Sequence, residues 1–150
     1  MKNHLSIQAT EAEIIEEFAL FEDWMDKYNY LIEIGKELPL MDPKYKIPQY
    51  LISGCQSRVW LYAELKNGNV YFTADSDAVI TKGIICLLIR ILSGHTPKEI
   101  IDTSLNCIEA IGLKEHLSPT RSNGLTSMIK QMKMYALAFQ SKQETEMSVS

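Results

Sequence analysis

The Asn67-Gly68 pair, set between two segments of alternating polarity, is the feature that most constrains the fold. Both residue types tolerate the positive φ that a two-residue turn between antiparallel strands requires. Before the pair, residues 57–65 place Val59 and Leu61 on one face and Trp60 on the other, with the alternation continuing to Leu65. A second short strand follows the pair over residues 69–73. The sequence therefore predicts a β-hairpin in the middle of the chain.

The segment before the hairpin has a helical pattern. Thr10 and Glu13 form a capping-box pair, in which a hydroxyl and a carboxylate three residues apart each satisfy a free N–H. Apolar residues then recur at helical spacing as far as Ile32. Asp23 is placed to cap a second helix, so we expect two helices with a bend near residues 21–24.

Further helices follow the hairpin. Asp75 and Asp77 offer N-cap side chains for an apolar helix that ends by Leu92. Thr96-Pro97-Lys98-Glu99 is a second capping box, with proline at the first helical position. Short helices are expected after it and again around residues 107–111.

The C-terminal part is predicted to contain a polar loop over residues 118–124, a helix over 125–139 and a disordered polar tail over 141–150. The chain contains neither internal repeats nor a recognisable linker. We expect one domain over residues 1–150, with its core at about 11–140. Its fold class is α+β, a small antiparallel β-sheet with helices packed on one side.

Charge narrows the functional classes. The 150 residues contain 15 Lys and Arg against 19 Asp and Glu, a net charge of −4. Proteins that grip nucleic acid through its phosphates usually carry a basic surplus, so nucleic acid is not expected as a direct ligand. Residues 1–40 carry nine acids and three bases. That imbalance fits either a solvated helix face or an acidic docking surface for a partner protein.

No membrane or cofactor site is expected. The most apolar run, residues 84–89, is far shorter than the roughly 20 residues that span a bilayer. The first ten residues lack the pattern of a signal peptide, and a cytoplasmic protein is expected. Phosphate-binding glycine motifs and HExxH are missing from the sequence, and His4, His95 and His116 are scattered. These patterns predict neither a metal nor an organic cofactor.

Three cysteines, Cys55, Cys86 and Cys107, are too few and too widely spaced for a disulfide framework or a zinc finger. Cys86 lies inside the apolar run, and Cys107 lies in a short amphipathic segment, so both are expected to pack structurally. Cys55 follows Gly54 at the end of a long Pro- and Gly-containing connection, residues 39–54. Its position alone leaves a reactive and a structural role open.

Three ordered blocks resemble one known family. Gly54-Cys55-Gln56-Ser57-Arg58-Val59-Trp60-Leu61 resembles the cysteine motif of the SufE family of sulfur-acceptor proteins. Ala74-Asp75-Ser76-Asp77-Ala78, followed by Thr81-Lys82-Gly83, is similar to the family's acidic turn and helix start. Leu117–Leu125 resembles its late Ser/Thr-Arg-Ser loop. The resemblance covers roughly residues 12–138, and Arg58 departs from the uncharged polar residue that many members have.

This resemblance implies a SufE/IscU-like fold and a sulfur-transfer accessory protein rather than a stand-alone enzyme. Cys55 would take sulfane sulfur from a pyridoxal-phosphate-dependent, SufS-like cysteine desulfurase, hold it as a persulfide and stimulate that enzyme. The recipient would be a SufBCD-like iron–sulfur scaffold. Supporting or partner-contact roles are expected for Gly54, Gln56, Ser57, Arg58, Asp75, Asp77 and Arg121.

Two alternatives stay open at this point. One is an iron–sulfur cluster scaffold, which needs several converging thiols. The other is a sulfur or partner protein for a different sulfur-using pathway or a tRNA-modifying enzyme. Arg58 and Arg121 are candidates for lowering the pKa of the Cys55 thiol, and residues 48–58 are expected to form a loop that shelters the sulfur and swings outward on docking.

Overall fold

The hairpin predicted around Asn67-Gly68 is present. In the computed structural model, which describes residues 5–149 of the backbone and the side chains as far as residue 146, strands β1 (Val59–Lys66) and β2 (Asn69–Ser76) pair antiparallel. The turn residues have φ values of 52° and 83°, which confirms the turn prediction. β2 runs three residues beyond its predicted end.

The helix α3 (Val79–Leu92) packs on this hairpin and other helices pack against α3, and the α+β class is confirmed. The helices of the described chain are α1 (Ile7–Ala19), α2 (Trp24–Lys36), α3 (Val79–Leu92), α4 (Pro97–Asp102), α5 (Asn106–Ala110), α6 (Leu113–His116) and α7 (Pro119–Val149). Short 3-10 turns at Pro43–Tyr45 and Pro48–Tyr50 interrupt the connection from α2 to β1. Within residues 5–149, no helix combines the length and apolar character that crossing a bilayer demands.

α3 is the central helix, and most of its residues are buried. It crosses α2 at a point where both helices have glycine, Gly35 and Gly83. A Cβ added to Gly83 would lie 2.1 Å from the Leu31 carbonyl oxygen, so only glycine permits this close approach of the two backbones. The outward face of the hairpin is covered by the connection, where Tyr45 stacks on Tyr62 with ring centroids 3.8 Å apart.

The predicted bend between two N-terminal helices is confirmed, and the Asp23 side chain accepts from Asp26 N–H as the cap of α2. The start of α1 was predicted wrongly. Ser6 is its N-cap, accepting from Ala9 N–H, and Thr10 lies one turn inside the helix. The Thr10 hydroxyl is buried and has no hydrogen-bond partner in the described chain, so it does not act as a cap.

Two capping interactions hold the short helices. The predicted box of Thr96 and Glu99 is formed in full at α4. Glu11, a buried residue of the acidic N-terminal segment, accepts from Cys107 N–H at 2.8 Å and thereby caps α5.

A second acid of the same segment, Glu17, forms a two-point ion pair with Arg90 of α3. The acidic segment is therefore partly used inside the fold.

The predictions for the C-terminal part were wrong in two places. Residues 118–124, expected as a polar loop, form the beginning of α7, because Ser118 Oγ accepts from Arg121 N–H and Pro119 occupies the first helical position. The segment 141–149, expected as a disordered tail, continues α7. It contains neither glycine nor proline, and several of its residues are good helix formers. Ser150 lies outside the described residues.

Candidate functional site

Cys55 lies in a short loop whose two ends are joined. The Cys55 loop, residues 53–58, begins after Ile52, whose N–H donates to the Val59 carbonyl at 2.9 Å. Gly54 has φ of +90°, a conformation that other residues rarely adopt. A Cβ on Gly54 would also lie 2.5 Å from Ser127 Oγ of α7. The loop therefore turns sharply at Gly54 and presses Cys55 toward α7.

The Cys55 thiol packs on the first turns of α7. Its Sγ lies 3.7 Å from the Gly124 carbonyl oxygen, to which the thiol donates. A Cβ on Gly124 would come 3.6 Å from the same sulfur, so the thiol packs directly on the helix at a position without a side chain. Burial raises the pKa of the Cys55 thiol. In this conformation the sulfur is a neutral, half-buried S–H group.

A cavity of about 300 Å³ adjoins the sulfur. Gln56 and Ser57 line it on the loop side together with Cys55. Its other walls come from Thr81 and Ile84 of α3 and from Thr120, Arg121, Gly124 and Met128 of α7. The structure thus brings five predicted site features together: Cys55, its two following neighbours, the Gly54 turn and Arg121.

Arg121 is held beside this cavity by α2. Its Nη1 donates to the Tyr28 hydroxyl at 2.8 Å, and its guanidinium lies 5.9 Å from the centre of the Tyr28 ring. Arg121 is exposed on its solvent side, so a partner is able to reach it. The positive charge therefore sits at the rim of the cavity.

Arg58 has a different position from the one expected. Its N–H and Nε donate to the two carboxylate oxygens of Asp77 at 3.0 and 3.1 Å, and its guanidinium lies 5.5 Å from the Trp60 ring centre. Ser76 Oγ donates to the Arg58 carbonyl at 2.8 Å. Arg58 does not line the cavity. Its bonds attach the C-terminal end of the Cys55 loop to the end of β2.

The N-cap prediction for Asp75 and Asp77 was wrong. Ala78 is the residue that precedes α3, and no side chain caps that helix start. The hairpin extends to Ser76, which places Asp75 inside a strand, and Asp77 is occupied by Arg58. These partners, set by the tertiary fold, prevent both carboxylates from acting as caps.

Asp75 joins three segments of the chain. Its carboxylate lies 2.9 Å from Lys46 Nζ in the connection and 3.3 Å from Lys82 Nζ in α3. Burial opposes ionisation of Asp75, but the bonds from Lys46 and Ser76 N–H and the charge of Lys82 outweigh it and lower its pKa. Asp75 therefore ties the segment that leads to Cys55 onto the sheet and α3.

The other two cysteines lie apart from this cavity. Cys86 is half-buried on α3, and Cys107 is fully buried at the start of α5. Burial raises the pKa of both thiols, and that of Cys107 reaches about 12 because Glu11 is also close. In the described part of the chain, no three His, Cys, Asp or Glu side chains converge as a metal-binding group.

Of the histidines that the structure describes, neither His95 nor His116 lines the cavity. His95 is buried after α3, where burial lowers its pKa. His116 stacks on Trp24 with ring centroids 4.5 Å apart. His4 lies outside the described residues.

Sequence reasoning missed five residues that line the cavity, and Thr81 and Gly124 are the two of them that matter most for the sulfur. Both fall inside the family-like blocks, but their part in seating Cys55 depends on the packing of α3 against α7. A larger cleft, of about 750 Å³, lies at the hairpin's other end and is lined by Tyr71 and Arg90. Cys55 does not line this cleft. The candidate site is therefore identified by the thiol of Cys55 and not by the size of its cavity.

Comparison with known proteins shows the family of the chain. Residues 12–136 match the family model described as SufE: Fe-S metabolism associated domain. The chain belongs to the SufE family. It is 40% identical over 129 residues to an uncharacterized SufE-like protein of Synechocystis sp., covering 86% of this chain and 81% of that one. It is also 39% identical over 130 residues to an uncharacterized SufE-like protein of Rhizobium meliloti, covering 83% and 92% of the two chains.

A solved structure has the same fold. The solution structure of a hypothetical protein from Thermus thermophilus superimposes with a TM-score of 0.71 at 19% identity, covering 86% of this chain and 94% of that one. Family membership gives this SufE-family protein a sulfur-transfer role in Fe–S metabolism.

Proposed function

We propose that this SufE-family protein accepts sulfane sulfur from a cysteine desulfurase as a persulfide on Cys55, stimulates that desulfurase, and delivers the sulfur to a scaffold for iron–sulfur cluster assembly. One observation carries the proposal. Cys55 is a half-buried thiol on a loop that turns at Gly54 with positive φ, beside a cavity with room for an additional sulfur atom. The family match covers every residue of that cavity.

The transfer step balances without an external oxidant or reductant. The Cys55 thiolate attacks the outer sulfur of a persulfide on the desulfurase, forming a new S–S bond. The S–S bond of the desulfurase persulfide breaks, and its cysteine leaves as a thiolate that takes the proton lost by Cys55. Delivery repeats the exchange, with a recipient thiolate attacking the outer sulfur on Cys55.

In the resting geometry, Cys55 is better placed to hold a sulfur atom than to attack the persulfide of the desulfurase. Burial raises the Cys55 pKa, and the raised pKa keeps the sulfur protonated and slow to react. We infer that docking on the desulfurase moves the Cys55 loop outward, so that the thiol ionises beside the partner's persulfide. Gly54 supplies the hinge, whereas the Ile52–Val59 bond and the Arg58–Asp77 pair limit the movement to the loop itself.

Arg121 and the surface around the cavity are proposed to contact the partner. Gln56 and Ser57 border the cavity and flank Cys55, so outward movement of the loop would present them together with the sulfur. Asp75 has its role in the anchoring of the preceding connection. A reducing compartment such as the cytoplasm would keep all three thiols free for this chemistry.

The test is a sulfur-transfer assay with purified components. The protein is incubated with its cognate desulfurase, pyridoxal phosphate and free cysteine, and each cysteine-containing peptide is examined by mass spectrometry for added sulfur. We expect added sulfur on Cys55 and faster cysteine turnover, both lost in Cys55→Ser. Cys86→Ser is the matched control and keeps both. An active desulfurase that leaves Cys55 unmodified would contradict the proposal.

A further inference from the structure

The cavity beside Cys55 is lined by a residue, Thr81, whose hydroxyl the fold does not use. Thr81 is 7% exposed and lines the cavity from α3. Thr126 and Thr145, on α7, donate their hydroxyls to the carbonyl four residues earlier. No hydrogen bond of the Thr81 hydroxyl is found within residues 5–146, and, unlike Thr10 Oγ1, Thr81 Oγ1 is not fully buried. Thr81 therefore lines the cavity with an accessible hydroxyl that has no partner in the fold, and a hydroxyl can donate to a ligand there.

The electrostatic surroundings of the cavity favour a negative charge. Thr120, Arg121 and Gly124 belong to the first two turns of α7, where the free N–H groups give a helix a partial positive charge. Ser118 Oγ accepts from the Arg121 N–H, and the Thr120 N–H, in the first turn of α7, has no intrahelical partner because the first N–H groups of a helix have none. Among the described residues that line the cavity, Arg121 and Cys55 are the titratable ones, so no acidic side chain opposes an anion there.

We propose that Thr81 is a sulfur-binding residue, whose hydroxyl donates a hydrogen bond to the terminal sulfur of the Cys55 persulfide inside this cavity. The inference rests on the proposed function. A persulfide places its outer sulfur about 2.05 Å beyond Sγ, and Cys55 is one of the residues that line the cavity. A persulfide is a stronger acid than the parent thiol, so the stored species is the anion. The anion needs donors in a half-buried site, and Thr81, the start of α7 and Arg121 supply them.

This arrangement separates the two states of Cys55. The unloaded thiol donates to the Gly124 carbonyl and stays neutral. The loaded group carries its charge one atom further out, away from that carbonyl acceptor and toward the polar walls. The cavity therefore binds the terminal sulfur of the persulfide and not the unloaded Cys55 thiol. The persulfide anion stays in the cavity until a partner opens the loop.

The test compares Thr81→Val with Thr10→Val. The first change replaces the hydroxyl of the cavity with a methyl group of similar size. The second makes the same change at a buried threonine of α1 whose Oγ1 also has no partner but which does not line the cavity. Thr81→Ser retains the hydroxyl. Each variant is loaded with inorganic tetrasulfide as well as by the desulfurase, and circular dichroism verifies the fold.

The readout is the pH midpoint for alkylation of the Cys55 persulfide by iodoacetamide, followed by peptide mass spectrometry. Losing one hydrogen bond to a charged group is expected to raise the midpoint by about one pH unit in Thr81→Val, a tenfold change in the ionisation equilibrium. Thr10→Val and Thr81→Ser should keep the wild-type midpoint. Equal midpoints in Thr81→Val and wild type would overturn the proposal, as would failure of tetrasulfide to load wild-type Cys55.

Chemical loading separates this inference from the proposed function. A raised midpoint in tetrasulfide-loaded Thr81→Val supports the sulfur site even where the desulfurase transfers nothing. In that case the sulfur-acceptor function fails and the binding residue stands. Conversely, desulfurase-dependent loading with no difference between Thr81→Val and wild type retains the function and removes Thr81 from the site.

Discussion

Replacing Gly54 with alanine should release the Cys55 loop from its resting position. The substitution is unfavourable for two separable reasons. A residue with a Cβ is strained at φ of +90°, and the new Cβ would lie 2.5 Å from Ser127 Oγ. The left-handed conformation alone costs about 1–2 kcal/mol. Because the loop is short and, between its joined ends, is held on α7 by the weak Cys55–Gly124 bond, we expect the strain to favour opening of the loop rather than unfolding of the whole chain.

Ser127→Ala separates the two contributions. With Oγ removed, the nearest atom to an alanine Cβ at position 54 is the Cβ of residue 127 at 3.5 Å, an ordinary contact. Gly54→Ala in that background should therefore retain only the conformational strain and raise the open population of the loop roughly 5–30-fold. In the wild-type background the effect should be larger, and Ser127→Ala alone should be close to neutral. The difference between the effect of Gly54→Ala in the wild-type background and its effect in the Ser127→Ala background is the coupling energy of a double-mutant cycle.

The assay is the rate of Cys55 alkylation by iodoacetamide at fixed pH, resolved by peptide mass spectrometry, with urea unfolding measured in parallel. Cys107 serves as an internal control because it is fully buried and its labelling reports global unfolding. Gly54→Ala should accelerate labelling of Cys55 and not of Cys107. An unchanged Cys55 rate, or an identical increase at both thiols, would refute the account of a glycine-hinged loop.

Three further predictions concern the scaffold and the thiol. Gly83→Ala should lower the free energy of unfolding by about 1–3 kcal/mol or more in urea titrations, because the new Cβ would meet a backbone carbonyl of α2. Gly124 is a helical glycine with room for a Cβ, so Gly124→Ala should leave the free energy of unfolding unchanged or raise it by up to about 1 kcal/mol. Glu11→Ala should cost about 1–3 kcal/mol in the same titration by leaving a buried N–H of α5 unsatisfied, whereas Glu11→Gln retains an acceptor and should lose less. Alkylation of unloaded Cys55 should rise with pH through a midpoint above the usual thiol range of about 8.5, since burial raises its pKa, and binding of the desulfurase should move that midpoint down.

Each of these predictions has a result that would contradict it. Equal stabilities of Gly83→Ala and Gly124→Ala would mean that the α2–α3 approach is not tight. A stability of Glu11→Ala equal to that of wild type would remove the cap of α5. A Cys55 midpoint at or below the ordinary thiol range in the free protein would mean that the resting sulfur is not sheltered.

Features set by neighbouring residues were predictable from the sequence. The Asn67-Gly68 turn and the Asp23 cap depend on conformational preferences and hydrogen bonds within a few residues, and both are present as expected. The capping box at Thr96 is of the same kind. Ser118-Pro119 carries the same helix-start signal as Thr96-Pro97, so the start of α7 was also predictable. The polarity of the following residues led to the incorrect loop interpretation.

Features set by tertiary packing were not predictable in this way. Asp75 and Asp77 have side chains suited to capping, but Lys46, Lys82 and Arg58 occupy them in the folded chain. The seating of Cys55 on α7 likewise joins residues that are 69 positions apart. The family-like blocks indicated that these regions matter, whereas the contacts between them depend on the three-dimensional arrangement.

The most direct test of the central claim is the location of sulfur after a single turnover with the cognate desulfurase. The account predicts one added sulfur atom on the Cys55 peptide and none on those of Cys86 and Cys107, with the added sulfur removed by a reducing thiol. Added sulfur on a different cysteine, or an unmodified Cys55 beside a desulfurase that has consumed its cysteine, would contradict it.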